Sequence, residues 1–203
     1  MTLVGITGGI GSGKTAVAEL LKGRGWTVYA SDETAKQIMV SSAEVRQELS
    51  DAFGPQVLTP NGVNAPLLAS LVFGADPESG KRLARLNGIV HPRVLEAHMQ
   101  AIAAEEARGT KIVAIESALI YEIDLEDGFD FVVVVDAPHE ECIRRVMERS
   151  GLTREDVERR MAEQISPEEK RGLADFVIDN TGTLDDLKGA TQTVAMVIEA
   201  MAG

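Results

Sequence analysis

Eight residues near the amino end, Gly8-Gly-Ile-Gly-Ser-Gly-Lys-Thr15, have the types and spacing to hold a polyphosphate. They fit G-x-x-x-x-G-K-[ST], a pattern whose backbone amides point inward as an anion nest. Glycines at 8, 9, 11 and 13 open turn conformations closed to other residues and keep side chains off the phosphates. The candidate ATP contacts are therefore Gly9, Gly11, Ser12, Gly13, Lys14, Thr15 and Ala16. Lys14 would reach the β- and γ-phosphates, and the Thr15 hydroxyl would ligate Mg2+. An apolar strand precedes the loop and an amphipathic helix follows, whose N-terminal dipole adds attraction for anions.

A phosphate loop alone does not choose among kinase, GTPase and motor. No Asn-Lys-x-Asp tetrad occurs, and 203 residues are few for a motor, which leaves a small kinase acting on a hydroxyl or phosphate. A nucleotide-binding switch without turnover stands as the alternative of another class. Asp32, just past the second apolar segment, suits two roles. It can be the base that orients the acceptor hydroxyl, or the N-cap of a helix starting at Glu33. Glu116 and Asp136 each end an apolar strand; Glu116 is preferred beside magnesium or acceptor, and Asp136 as an N-cap. Arg145 and Arg149, four apart on a helix, share a face and could stabilise charge on a transferring phosphoryl group. Arg144, Arg159 and Arg160 read as a solvated face. His98 and His139 read as surface residues, and His91 as a loop residue before Pro92.

These side chains must be positioned by an α/β fold. Leu3–Thr7, Trp26–Ala30, Lys111–Ile115, Phe131–Val135 and Phe176–Ile178 are continuous apolar runs, as parallel strands covered on both faces require. The second is expected beside the first. Helices are expected over 14–24, 43–53, 66–73 and 77–87, from Pro92 to about Arg108, and over 183–201 with Leu184, Leu187, Thr191, Val194, Ile198 and Met201 on one stripe. Acidic residues outnumber basic ones, 32 to 20, for a net charge of −12. That balance disfavours nucleic acid and anionic membranes as partners. No apolar run approaches the ~18 residues of a membrane span. The lone Cys142 and the absence of a basic leader before Thr7 point to the cytoplasm.

Taken together, the chain resembles the dephospho-coenzyme A kinases. The likeness runs through Ile6–Thr15, the Asp32 segment, Ile89-Val-His-Pro92, Glu116–Glu122, Val135-Asp-Ala-Pro138, Arg145 with Arg149, Arg160-Met-Ala-Glu-Gln164 and Ala174–Asn180. The resemblance implies a P-loop fold with a five-stranded parallel sheet flanked by helices. It implies one kinase domain: core 1–35, 109–137 and 172–203, a helical acceptor-binding subdomain at about 36–108, and a lid at about 138–171. It implies transfer from ATP with Mg2+ to 3′-dephospho-coenzyme A, with Asp32 as base, Lys14, Arg145 and Arg149 at the phosphoryl group, and Asn180 on the adenine side. Lys36, His91 and Glu116 join Asp32 toward the acceptor. Ala30, Lys36 and Ala118 depart from the family's usual aspartate, arginine and proline, which touches acceptor contacts and removes no reacting group.

Overall fold

Unbroken β-branched runs cover their backbone only when both faces are packed, and two of them, Ile112–Glu116 and Phe131–Asp136, flank a third, Thr2–Thr7. The computed structural model describes residues 1–203. In chain order the elements begin β1 (Thr2–Thr7), α1 (Lys14–Gly23), β2 (Thr27–Ala30), α2 (Ser31–Ser41) and α3 (Ala43–Phe53). There follow β3 (Leu58–Thr59), β4 (Gly62–Val63), α4 (Ala65–Val72), α5 (Ser79–Ala107), β5 (Ile112–Glu116) and β6 (Phe131–Asp136). The chain ends with α6 (His139–Ser150), α7 (Arg154–Ala162), α8 (Pro167–Leu173), β7 (Phe176–Asp179) and α9 (Leu184–Met201). Two compact units result, residues 1–30 with 102–203, and residues 31–101.

The first unit holds a five-stranded parallel sheet in the order β2-β5-β1-β6-β7. The expectation that β2 pairs with β1 is therefore corrected: β5 lies between them. The reason is visible in the residues. β5 is fully buried and takes an inner position, while the half-buried Thr27–Ala30 suits an edge. The order reverses at β1, and ligands of open α/β sheets bind at such a switch point, beyond the strands' carboxyl ends. Val4, Ile6, Val133, Val135 and Ile178 pack with Val17 and Leu21 of α1 and with Leu187, Ala195 and Ile198 of α9. On α9 the ends of the expected stripe, Leu184 and Met201, are exposed.

The second unit is helical, with one short hairpin, β3-β4. Val45, Leu49, Phe53, Val57, Leu68 and Val72 form its core. Ser42 caps α3 by accepting from the Val45 N–H, and Asn64 caps α4 by accepting from the Leu67 N–H. Here sequence and structure part. Pro92 does not open a helix; it lies inside α5, a single helix running from Ser79 to Ala107. Lys81–Leu86 and Leu95–Ala104, rich in strong helix formers, carry the helix across the weak stretch Asn87–His91 and the missing N–H. His98, expected at the surface, is buried with Nε2 3.2 Å from the Thr34 hydroxyl.

Candidate active site

The glycine loop leaves β1 at the centre of the sheet's carboxyl edge and runs into α1. Gly13, the residue before α1, has φ +104 and no side chain caps the helix, so the positive end of the α1 dipole opens on the glycine loop. Gly8, Gly11 and Gly13 all have positive φ. A Cβ at each would strike, respectively, the Val135 carbonyl, the Cys142 carbonyl and the Asn180 side-chain amide. Glycine is obligatory at all three. Gly9 differs from expectation: its φ is not in that region, and a Cβ there meets open space.

The loop is braced from several sides. Lys14, 8% exposed, donates from Nζ to the carbonyls of Gly8 and Gly9, both at 3.0 Å. The Asn180 amide donates to the Ser12 carbonyl at 2.8 Å, so Asn180 is seated against the loop from the end of β7. The Ala16 N–H turns back to the Gly13 carbonyl at 3.0 Å. Ser12 Oγ and Thr7 Oγ1 are buried without a hydrogen-bond partner beside this loop. Thr15 is exposed at the first turn of α1.

Glu116 is 7% exposed and ends β5, in register with Ile6 of β1 on one side and Ala30 of β2 on the other. Its carboxylate therefore belongs to the same sheet edge as the loop. Asp136, expected to cap a helix, does not: Pro138 occupies the cap position of α6. Asp136 instead accepts from the Ala137 N–H and pairs with Arg171 at 2.8 Å. Arg171 also bridges to Asp179, the register partner of Asp136 on β7. Two adjacent carboxylates would repel, and the guanidinium between them removes that cost.

The arginines separate. Arg145 is partly buried, with its guanidinium beside Gly13 and its Nε 3.1 Å from Glu141. Glu141 is shared with Arg144. The Arg144 hydrogen bonds, with the charges of Arg144 and Arg145, hold its carboxyl down at about 2 despite some desolvation. Arg149 is exposed at the last turn of α6. Arg144 pairs with Glu141 and Glu148, as a solvated face would. Arg160 is half-buried rather than solvated, and burial lowers its pKa.

In the helical unit, Asp32 lies within the first turn of α2, which starts at Ser31. It is therefore not the N-cap of a helix starting at Glu33. It is exposed, and Lys36, one turn on, pairs with Glu33 at 2.6 Å. His91 is half-buried in α5, and desolvation lowers its pKa, so the ring is neutral at pH 7.

Three residues around the loop carry no signal of their own in composition or periodicity. Gln164 accepts from the Ile10 N–H at 2.9 Å. Lys170, 1% exposed, pairs with Glu122 at 2.7 Å. In sequence Lys170 sits in a short charged stretch that reads as solvated. Only the Glu122 and Gln164 segments stood out, as parts of a family likeness.

No helix is long and apolar enough to cross a membrane. The family model for dephospho-CoA kinase matches residues 2–186. A dephospho-CoA kinase of Deinococcus radiodurans is 45% identical over 197 residues, 97% of this chain and 92% of that protein. One of Corynebacterium glutamicum is 38% identical over 200 residues, 98% of each. Among solved structures, TT1252 of Thermus thermophilus superposes with a TM-score of 0.77 at 38% identity, covering 96% of both chains.

Proposed function

The chain belongs to the dephospho-CoA kinase family, and from that premise we propose that it moves the γ-phosphoryl group of ATP to the ribose 3′-hydroxyl of 3′-dephospho-coenzyme A, yielding ADP and coenzyme A. The enzyme is an ATP-dependent phosphotransferase with a P-loop fold. The observation that carries the proposal is the braced glycine loop at the switch point, with Lys14, Asn180 and Arg145 around it, in a chain matched over nearly its whole length.

Phosphoryl transfer asks a protein mainly for positioning and for charge opposite the equatorial oxygens. The loop amides and Lys14 supply that charge on the β–γ side, and Arg145 adds a planar fork from α6. Arg149 would join when the segment 138–171 closes over ATP as a lid. Asp32 would accept the proton of the 3′-hydroxyl as its oxygen bonds to phosphorus. Its place in the first turn of α2, free of a capping duty, supports that role. Lys36, His91 and the helical unit would serve the acceptor. Neutral His91 would act there as a hydrogen-bonding group.

The donors present suit Mg2+. The ion uses one or two protein oxygens and keeps its other positions for water and phosphate, and Thr15 and Glu116 offer hard oxygens at this edge. When bound with ATP, it supplies charge neutralisation on the β- and γ-oxygens. The cytoplasm, where both substrates occur, is the proposed location.

The test is turnover of purified enzyme with ATP, Mg2+ and a panel of acceptors. Coenzyme A and ADP should form in equal amounts with dephospho-coenzyme A, and nucleoside monophosphates should give no product. Equal activity on monophosphates would make this a nucleotide kinase. ATP binding without any product would make it a switch.

A further inference from the structure

Two side chains from the segment after α6 meet at one backbone carbonyl, that of Ala118. Lys170 Nζ donates to it at 2.8 Å and Gln164 Nε2 at 3.3 Å. Gln164 turns its other end to the phosphate loop, accepting from the Ile10 N–H at 2.9 Å. Lys170 is held in turn by Glu122, which also accepts from the Ile165 N–H at 3.2 Å. The Ile10 side chain completes the contact by packing on Ile143 and Val146 of α6 and on Val157 of α7.

We propose that Gln164, Lys170 and Glu122 are positioning residues that form a clamp. The clamp holds the phosphate loop in its nucleotide-accepting shape through the Ile10 amide. Ile10 stands between two glycines, so local sequence does little to fix the loop's apex. An amide side chain bonded at both ends sets a distance, here between that apex and the chain just after β5. The oxygen at the far end needs an anchor of its own, and Lys170 provides it.

A buried ion pair is a poor source of stability, because well-packed apolar replacements often do as well. Its value here is geometric: Lys170 and Glu122 point the Ala118 oxygen at Gln164.

The clamp serves the ATP side of the activity proposed above, and its test works whichever acceptor the enzyme uses. Gln164→Met keeps length and volume and loses both hydrogen bonds. Titration with Mg2+ and β,γ-imido-ATP should show affinity weakened about tenfold, the scale of one lost hydrogen bond. Exchange of the Ile10 amide should speed up at least as much, with amides of β6 unchanged. Lys170→Met combined with Glu122→Gln leaves no lone buried charge, and should weaken imido-ATP at least about threefold if the anchor matters. This second variant keeps the test alive should the first fold poorly.

Parent-like imido-ATP affinity in either folded variant would overturn the clamp. So would faster exchange spread evenly over the sheet with affinity intact, which is what a merely structural contact gives. Turnover of dephospho-coenzyme A by the parent enzyme tests the proposed activity separately.

Discussion

The two units hold their candidate residues in opposite ways. Around the glycine loop, Lys14 is tied to two carbonyls, Asn180 to Ser12, Gln164 to Ile10 and Arg145 to Glu141. In residues 31–101, Asp32 is exposed and Lys36 has only an exposed neighbour three residues away, a pairing of little energetic weight. The difference fits the work proposed for each. Backbone amides help a transition state only if they are already aimed, so a phosphate cradle must be rigid before ATP arrives. A base and the acceptor contacts must reach a substrate that is large and mobile, and free side chains suit that.

The sharpest way to break this comparison is Asp32→Asn. The change keeps size and leaves α2 able to form, while the amide cannot take a proton. If the exposed carboxylate is the base, kcat should fall about 10²–10⁴-fold with imido-ATP affinity unchanged. Retained turnover would make Asp32 a first-turn acid that only favours the helix dipole, contributing about 0.3–1 kcal/mol.

Lys14→Ala should come next, lowering kcat at least about a hundredfold, the usual cost of a lost electrostatic group. Because Lys14 also bonds to Gly8 and Gly9, the loop itself should loosen, and hydrogen exchange over residues 8–13 would show it. Turnover near normal would remove this lysine from the mechanism.

The arginine pair sharpens the comparison inside one helix. Arg145→Ala should cost more kcat than Arg149→Ala, by about tenfold, since only Arg145 is already beside Gly13. If the segment 138–171 closes over ATP, exchange there should slow with imido-ATP, and slow less in Arg149→Ala. Equal losses from both substitutions would mean that the resting position of Arg145 carries no advantage.

Much of the unit around the glycine loop is legible in the sequence because its signals are local. Continuous β-branched runs give β1, β5 and β6, and the glycine motif gives the loop. The strand order is not local. Nothing in Thr27–Ala30 alone says that β5 will come between it and β1; that follows from which strands are buried enough to lie inside. Lys170 is the plainest omission. A lysine between Glu169 and Arg171 reads as solvent-facing, and only the closeness of Glu122, 48 positions earlier, makes it a core residue. Asp136 went to a long-range ion pair for the same reason. In the helical unit the local rule itself misled, at Pro92.

Pro92 carries the smallest expected effect. It has no N–H to offer the Gly88 carbonyl, and its ring crowds that carbonyl, yet α5 continues through it. Arg93, the next residue, spans the fault. Its guanidinium donates to the Ile89 carbonyl at 3.2 Å and pairs with Glu48 of α3, tying the disturbed turn to a neighbouring helix. A proline inside a helix is about 3 kcal/mol less favourable than alanine. Some of that is offset because proline also restricts the unfolded chain, by roughly 0.4–1 kcal/mol. Local relaxation of α5 offsets more. Pro92→Ala should therefore stabilise the enzyme by about 1–2 kcal/mol, read as a higher thermal midpoint. Imido-ATP affinity should not change, because the loop proposed to bind it is braced within the other unit. The informative measurement is then KM for the acceptor. If the proline is kept for the shape it gives α5 next to His91, KM should rise a few-fold while the protein grows more stable, as happens when function opposes stability. A lower thermal midpoint would mean instead that the Arg93–Glu48 tie depends on the proline's bend, and that the helical unit is braced as firmly as the loop.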